Sequence, residues 1–228
     1  MLEIQQKDNM KNYIYTLQNC ELFKGIESNG LLSLINCLNG KIKEYAKGEY
    51  IFNEGNKTQV SGILIKGALQ IVEYDYNGNR NIISTIEPLK SFGEAYSFCH
   101  QDFPINVEAL EDSVVLLINS LNITNPCINS CPMHFTLINN LVRILSAKNV
   151  EKNQKILCIS KRTTKEKILN YLHSESIKHN SKEFYIPYDR QQLADYLCVE
   201  RSAMAYEIGK LSKVGIIETR KNYFKLIF

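Results

Sequence analysis

The sequence predicts an α+β fold in three parts: an N-terminal β jelly roll, a long helix and a C-terminal winged helix-turn-helix. Three observations predict it. Short β-like runs with glycine-containing turns extend from residue 41 to residue 119. Apolar residues at spacings of three and four follow Pro132, and the last forty residues read as helix, turn, helix and hairpin. The expected divisions are residues 1–131, 132–160 and 161–228.

Length and composition describe a core-forming protein of more than one domain. The chain has 228 residues, 44% of them hydrophobic, and no apolar run is long enough to cross a membrane. Residues 1–8 lack the basic start and apolar core of a signal peptide. We therefore expect a cytoplasmic protein with no membrane partner, whose seven cysteines are reduced thiols.

Charge is distributed unevenly along the chain, although the formal net charge is only +3. Residues 1–131 contain 10 Lys and Arg against 15 Asp and Glu, whereas residues 161–228 contain 13 against 8. The N-terminal part is acidic and the C-terminal part is basic. This distribution indicates that the C-terminal part alone binds a polyanion. The alternative explanation of the same excess is an ordinary solvated surface.

The first part predicts a jelly roll. Asn77-Gly78 between alternating segments is a strong hairpin signal, since both residues tolerate a positive φ. Many short strands at regular spacing are typical of a sandwich or jelly roll, not of βαβ units. A helix over about Leu31–Leu38 precedes them. The predicted strands are Lys41–Ala46, Tyr50–Asn53, Ser61–Lys66, Ala68–Tyr74, Asn81–Ile86 and Ser113–Asn119.

A long helix is predicted from Pro132 onward. Its apolar spacing is that of a coiled-coil seam with polar residues at two positions, although a helix lying on its own domain explains the apolar positions equally well. The length, some 25 residues with few capping signals, favours a dimerisation helix between domains. The seam positions are Phe135, Ile138, Val142, Leu145, Asn149, Lys152, Ile156 and Ile159.

The last forty residues carry the most specific signal in the chain. Helices are predicted over Arg190–Leu197 and Glu200–Val214, joined by a turn at Cys198-Val199, and a hairpin follows. A further helix over about Thr164–Leu172 should pack beneath this pair. Asp189 has the residue type of an N-cap, with Gln192 placed for a capping box. In the second helix we expect a buried stripe of Ala203, Met204, Ile208 and Leu211.

That stripe leaves the N-terminal half of the second helix free to enter a DNA major groove. Arg201 has the side chain that reads a guanine, and Glu200 can accept from a cytosine amino group. Ser202, Tyr206 and Arg190 are expected at phosphate or sugar. A helical pair that merely packs is the alternative, and the basic hairpin disfavours it. The full predicted DNA-binding set is Arg190, Gln191, Glu200, Arg201, Ser202, Tyr206, Arg220 and Lys221.

Four sequence blocks in the same order resemble the Crp/Fnr family of bacterial transcription regulators, from about Leu22 to Phe228. The resemblance implies a cyclic-nucleotide-binding-like roll that senses an effector, a dimerisation helix and a DNA-binding domain. Implied partners are double-stranded DNA, a second copy of the chain, a small effector and RNA polymerase. No cofactor is expected. The blocks are Lys47–Gly55, Ile63–Ile71 with Ser91–Ala95, Val107–Ser113 and Arg190–Leu197.

The resemblance also places an effector site. Its nucleotide-binding members follow a Phe-Gly-Glu turn with an arginine pair that cradles the cyclic phosphate. Here Pro104, Ile105 and Asn106 stand at that place, with no cation, and a buried phosphate without its counter-charge is costly. Cyclic AMP and cyclic GMP are therefore not expected as effectors, and Glu94 is expected to serve local structure. The predicted effector-binding set is Gly93, Glu94, Ala95, Pro104, Ile105, Asn106, Lys152 and Asn153, the last two implying an acidic or polar ligand.

Two other functions compete. A redox- or haem-responsive regulator of the same architecture is the first alternative, although no Cys-x-x-Cys occurs and the family's iron–sulfur ligand set is absent. Cys127 and Cys131 admit oxidation to a disulfide or a metal shared by a dimer, but buried reduced thiols are favoured. A cupin-type metalloenzyme is the second alternative, and the chain is not expected to be an enzyme, because only His100 of the four histidines lies in the roll.

Overall fold

The computed structural model describes residues 10, 12–74, 76, 80–125 and 132–227. They form two compact units, Met1–Ile144 and Leu145–Phe228. The division falls inside the long helix, so the expected three-part division stays a prediction. Asn77-Gly78, Cys127 and Cys131 lie outside the described residues.

The first unit begins with helices and continues as a β sandwich. Helix α1 (residues 12–17) and a 3-10 turn at Glu21–Phe23 precede α2 at Ser28–Cys37, which confirms the helix expected there. Eight strands follow, with α3 (Glu94–Cys99) and α4 (Leu121–Thr124) between and after them. The strands are β1 (Lys41–Tyr45), β2 (Tyr50–Phe52), β3 (Val60–Lys66), β4 (Leu69–Tyr74), β5 (Arg80–Ile86), β6 (Ser91–Phe92), β7 (Asn106–Ala109) and β8 (Ser113–Asn119).

Two four-stranded antiparallel sheets build the sandwich, in the orders β1-β8-β3-β6 and β2-β7-β4-β5. The six predicted strands are confirmed to within one residue at each end. Strands β6 and β7 were not anticipated, because a two-residue and a four-residue strand are too short to show an alternating pattern. The expected jelly-roll type of architecture is thereby confirmed for this unit.

Two apolar clusters hold the first unit together. One contains Phe52, Phe92 and Phe103 with Leu64, Leu69 and Val115 of strands from both sheets. The other packs α1, α2 and the start of the long helix α5 (Pro132–Ile159) against β3 and β8. Leu137 and Leu141 are the α5 residues buried in it.

The second unit contains the predicted helix-turn-helix. It comprises the end of α5, then α6 (Thr164–His179), β9 (Glu183–Tyr185), α7 (Arg190–Leu197), α8 (Arg201–Lys213), β10 (Ile217–Arg220) and β11 (Tyr223–Leu226). The three strands form an antiparallel sheet in the order β10-β11-β9. Helix α6 continues seven residues beyond the predicted end, to an asparagine in a left-handed conformation, Asn180 with φ 47°.

Both ends of α7 are set by local chemistry that the sequence already showed. Asp189 accepts a hydrogen bond from the Gln192 backbone N–H at 2.8 Å, and Gln192 Oε1 accepts from the Asp189 N–H at 2.9 Å, so the capping box is confirmed. The helix ends at Cys198, which has φ 51°. Lys167 of α6 donates to the Cys198 carbonyl oxygen at 3.2 Å and thereby stabilises the turn.

The buried stripe of α8 is narrower than expected. Met204, Ile208 and Leu211 are buried, but Ala203 is exposed. Its expected burial was wrong because one residue rotates the helix by about 100°, which carries position 203 off a stripe spaced four and three residues apart. Ala203 therefore adds to the exposed face.

Candidate nucleic-acid interface and effector region

The N-terminal half of α8 is an exposed polar surface. Glu200 is its N-cap residue, and its carboxylate makes no capping hydrogen bond, while Arg201 and Ser202 form the first helical turn. All three are exposed, as is Tyr206, whose ring lies 4.6 Å from Lys210 Nζ. The exposure that the sequence predicted for these positions is confirmed; their contact with DNA stays a prediction.

A hairpin stands beside this surface. We call β10, β11 and the turn between them the wing. Lys221 in that turn has φ 54°, and Asn222 is tied to the strand before α7: the Ile186 N–H donates to the Asn222 carbonyl oxygen at 2.9 Å, and Asn222 Nδ2 donates to the Ile186 oxygen at 3.2 Å. Arg220 and Lys221 are exposed. These bonds fix the wing relative to the start of α7.

An open depression of about 700 Å³ brings four of the predicted DNA-binding residues together. Arg190 and Gln191 start α7, Arg201 starts α8, and Lys221 comes from the wing. Gln191 Nε2 also donates to Asp195 Oδ1 at 2.8 Å, so part of its side chain is engaged within α7. Tyr206 and Arg220 are not among the residues that line this depression.

Arg190 is more deeply placed than the sequence suggested. Its Nη2 donates to Thr219 Oγ1 at 2.8 Å, and the guanidinium stacks on Phe224. Burial lowers the pKa of its guanidinium. Sequence reasoning missed Thr219 and Phe224, because no local pattern links a helix start to residues about thirty positions away.

The predicted effector turn lies in the sandwich. Gly93 has φ 79° and begins α3, and a Cβ at this position would lie 2.9 Å from Phe52 Cε2 and 3.2 Å from Phe103 Cζ. Glu94 is 5% exposed, and its Oε1 accepts from Ser91 Oγ at 2.8 Å. Ala95 is exposed. A glycine is required here by both the backbone conformation and the close aromatic neighbours.

Aromatic rings surround that turn. The Phe52 and Phe103 ring centroids are 4.8 Å apart, and Tyr96 lies 5.1 Å from Phe103. Pro104 is exposed and Ile105 is half-buried, whereas Asn106 is buried and its Oδ1 accepts from the Glu54 N–H at 2.8 Å. No lysine or arginine occurs between Ser91 and Val142. This stretch of sequence therefore supplies no cation for a phosphate, although Lys57 Nζ lies 3.7 Å from Asp102 Oδ1, two residues before Pro104.

Lys152 and Asn153 are exposed on α5 and belong to the second unit, whereas Gly93, Glu94, Ala95, Pro104, Ile105 and Asn106 belong to the first. The shared effector contact expected of them stays a prediction.

In the described ranges, no three His, Cys, Asp or Glu side chains come together as metal ligands, and His100 is exposed at the end of α3. No helix in the described ranges is both long and apolar enough to traverse a lipid bilayer.

The thiols differ in environment. Cys20 and Cys158 are buried, and burial raises the pKa of both. Cys37, Cys99 and Cys198 are exposed, and the burial expected of Cys127 and Cys131 concerns residues outside the described ranges. All three exposed thiols lie at or beside the ends of helices.

Residues 42–125 match the family model described as "Cyclic nucleotide-binding domain". Electron transport regulator A of Shewanella oneidensis is 22% identical over 81% of this chain and 74% of its own length. Regulatory protein HlyX of Actinobacillus pleuropneumoniae is 22% identical over 92% of this chain and 89% of its own. The chain is thus similar to Crp/Fnr-type regulators over most of its length. The resemblance expected from the four sequence blocks is thus confirmed.

Solved structures agree with the Crp/Fnr fold. CprK in complex with OCPA aligns with a TM-score of 0.59 at 14% identity, covering 85% of this chain and 88% of that one. The c-di-GMP-responsive global regulator CLP of Xanthomonas campestris aligns with a TM-score of 0.55 at 14% identity, covering 85% and 98%. The fold class predicted from the sequence is confirmed.

Proposed function

We propose that this Crp/Fnr-like protein is a homodimeric, sequence-specific DNA-binding regulator gated by a small effector. One observation carries the proposal: Arg190 of α7, Arg201 of α8 and Lys221 of the wing line the same open depression. The exposed, polar first turn of α8 lies beside it. Duplex DNA is the polyanion that such a surface fits, with the start of α8 in the major groove and the wing at the backbone.

Arg201 is the residue that we assign to base readout. It is exposed in the first turn of α8, where side chains reach base edges in helix-turn-helix docking. An arginine binds guanine O6 and N7 with two parallel hydrogen bonds. Glu200 beside it can accept from a cytosine amino group, and Ser202, Tyr206, Gln191, Arg220 and Lys221 are assigned to phosphate and sugar.

A second copy of the chain is the proposed partner of α5. The predicted seam carries side chains that remain exposed in the single chain: Phe135 at 72%, Val142 at 56% and Ile156 at 56%. Isolated exposed apolar residues are common, but a row of them at seam spacing favours a helix–helix contact. A symmetric pair would place its two recognition helices about 34 Å apart, one turn of DNA.

The effector is proposed to act in the roll by a population shift between conformations with different DNA affinity. The aromatic surroundings of Glu94, and the lack of lysine and arginine between Ser91 and Val142 in the sequence, support an effector without a phosphate at this turn. We also propose that Lys152 and Asn153 contact an acidic or polar effector. The dimer is proposed to contact RNA polymerase as well.

The test begins with selection of a binding duplex from a random pool, followed by gel-shift titration. We expect the selected duplex to bind at least 10³-fold more tightly than a scrambled one. Arg201→Ala should cost about 1–3 kcal/mol on the selected duplex and relax discrimination at one base pair. Lys165→Gln on α6 is the control. Binding that ignores sequence, or a monomer at micromolar concentration, contradicts the proposal.

A redox-responsive version is the second candidate. It is favoured by the exposed Cys37, Cys99 and Cys198 and by relatives named Electron transport regulator A and Anaerobic regulatory protein, the latter of Haemophilus influenzae at 21% identity over 81% of this chain. The absorption spectrum of the purified protein tests for a haem or cluster chromophore. Gel shifts before and after mild thiol oxidation test the cysteines; equal affinity would reject thiol sensing.

A further inference from the structure

The first unit contains an open cavity that shares no lining residue with the predicted effector site. Its volume is about 410 Å³, within the range of about 300–1,000 Å³ that is usual for small-molecule sites. It lies between α1 and one end of a sheet, where β1 and β3 end and β8 begins. Its lining includes three charged side chains, Glu44, Lys66 and Asp112, and two tyrosines, Tyr13 and Tyr45.

The sheet places opposite charges on the two sides of this cavity. Glu44 of β1 and Lys66 of β3 are both register partners of Val114 on β8, which lies between them. Register partners share a face of the sheet, and neighbouring strands are about 4.8 Å apart, so the two backbones stand roughly 10 Å apart. The side chains of Glu44 and Lys66 form no hydrogen bond or ion pair within the described ranges. Both charges are therefore available to a ligand.

A β-bulge brings Lys66 into the lining. Leu64 pairs with Val115, but the residue that pairs with Val114 is Lys66 and not Ile65. A bulge adds one residue to a strand and changes the direction of the side chains beyond it. In a regular strand Ile65 would pair with Val114, and Lys66 would turn to the opposite face of the sheet. The bulge thus adds a cation to the cavity.

Backbone hydrogen bonds fix the rim that carries Asp112. Its Oδ1 accepts from the Lys47 N–H at 3.1 Å. The Gly48 N–H donates to the Ala109 carbonyl oxygen at 2.8 Å, and the Ala109 N–H donates to the Glu49 carbonyl oxygen at 2.9 Å. These bonds join the turn after β1 to the end of β7, and they leave the Asp112 carboxylate with its negative charge. A rim that is fixed before binding loses less conformational freedom when a ligand arrives.

The charges of the lining define the ligand that complements them. Glu44 and Asp112 provide two carboxylates, and Lys66 provides one ammonium group. A complementary ligand has two cationic groups and one carboxylate, each able to form charge-assisted hydrogen bonds. Tyr13 and Tyr45 add aromatic surface, to which a cation is also attracted. The α-amino acids with a basic side chain carry this set of groups.

We propose that this cavity binds a free basic α-amino acid such as lysine, ornithine or arginine. Lys66 binds the α-carboxylate, and Glu44 and Asp112 bind the two cationic groups, with the tyrosines beside the chain that joins them. The site is additional to the effector turn at Gly93. It belongs to the first unit alone and does not depend on DNA binding.

Calorimetric titration of the full chain without DNA tests the ligand class. L-Lysine carries all three charged groups, norleucine lacks the side-chain ammonium, and cadaverine lacks the carboxylate. We expect L-lysine to bind and the other two to bind at least about tenfold more weakly, because each loses one charge-assisted hydrogen bond. L-Arginine and L-ornithine are titrated alongside.

Variants assign the binding to this cavity. Lys66→Gln should weaken L-lysine about tenfold and leave cadaverine unchanged, because cadaverine has no carboxylate to lose its partner. Glu44→Gln should weaken both ligands. Lys43→Gln and Glu73→Gln, at exposed positions outside the lining, are the matched controls and should bind like the wild type. Thermal melts without ligand check that each variant is folded.

Three outcomes overturn the proposal. Absence of saturable binding of all three basic amino acids at millimolar concentration would reject the ligand class. Equal affinity for L-lysine, norleucine and cadaverine would show that the charge set is not recognised. Wild-type affinity in both Lys66→Gln and Glu44→Gln would place the binding elsewhere, and if one of these variants does not fold, the other decides. None of these results bears on the proposed DNA binding, which is measured separately.

Discussion

Cys198 adopts a left-handed backbone conformation, φ 51° and ψ 59°, at the turn between α7 and α8. A side chain in this conformation costs about 1 kcal/mol or more, because Cβ approaches the following carbonyl oxygen. Glycine carries no such cost. The position joins the two helices of the DNA-reading pair, so its strain acts on the stability of the second unit.

We expect Cys198→Gly to raise the free energy of unfolding of the second unit by about 1 kcal/mol through relief of that strain. The change should raise its Tm by a few degrees, measured by circular dichroism on the full chain. Cys198→Ala retains Cβ and should give no gain. An equal effect of alanine and glycine would show that the thiol, not the backbone, is responsible.

Three tyrosines form a cluster in the second unit that should make its stability depend on alkaline pH. The Tyr196 ring centroid lies 5.4 Å from that of Tyr171 and 5.0 Å from that of Tyr188. Burial raises the pKa of Tyr171 and Tyr188, and it raises the pKa of Tyr196 to about 12. The Tyr171 hydroxyl has no hydrogen-bond partner within the described ranges. In the folded state these hydroxyls therefore stay neutral where an unfolded chain ionises.

The sign follows from linkage. The unfolded phenols ionise near pH 10 and the folded ones above it, so the neutral cluster stabilises fully below about pH 10, and stability falls between about pH 10 and 12. Tyr171→Phe combined with Tyr196→Phe should flatten this decline in Tm. Tyr185→Phe, on an exposed side chain, should leave it unchanged. A wild-type decline retained in the double variant would contradict the assignment.

At the scale of elements, α5 presents two different faces within the first unit. His134, Leu137 and Leu141 are buried against the helices and strands of the sandwich, while Phe135 and Val142 are exposed. The buried positions repeat at spacings of three and four, and the two exposed positions lie seven residues apart, which places the two sets on separate faces of one helix. One face is used by the domain, and the other is free for a second chain.

Val142→Glu should dissociate the dimer at micromolar concentration, because a carboxylate in a coiled-coil seam loses its hydration without a partner. Sedimentation velocity measures this. The fold of the single chain should be preserved, since Val142 is 56% exposed. Ala147→Glu, at an exposed position on the side of α5 opposite the seam, is the matched control and should remain dimeric. A dimeric Val142→Glu would place the interface elsewhere.

At the scale of the whole molecule, similarity to Crp/Fnr regulators does not supply a ligand. The roll matches the cyclic nucleotide-binding family over residues 42–125, yet its turn at Gly93 is lined by Phe52 and Phe103. The Asn106 Oδ1 atom already accepts a hydrogen bond from the Glu54 N–H. We therefore expect any effector that binds at this turn to differ in chemistry from a cyclic nucleotide, since sites vary on a common fold.

We expect cyclic AMP and cyclic GMP to leave the Tm of the protein unchanged. A ligand at 100 times its Kd stabilises the folded state by about 2.7 kcal/mol, so real binding would be visible. The selected duplex, added in the same assay, provides the positive control for a ligand that binds the folded chain. A nucleotide-dependent rise in Tm would show that a cation from outside the stretch between Ser91 and Val142 reaches the phosphate.

Local chemistry decided how much could be predicted from the sequence. The capping box at Asp189, the start of α5 at Pro132 and the six longer strands of the sandwich depend on residues close together in the chain, and all were predicted. Strands β6 and β7 were not predicted. They are too short to show a pattern of their own, and only their pairing with distant strands defines them. Ala203 was misplaced because apolar character does not fix the exact rotation of a helix face.

The sequence by itself determined the fold class, the order of the elements and the chemical types available to each surface. Only the tertiary structure decided which side chains meet: Arg190 with Thr219 and Phe224, and Gly93 with Phe52 and Phe103. The physical reason is range. Propensity and capping act over a few residues, whereas a stacked guanidinium or a close glycine contact depends on packing between segments that are distant along the chain.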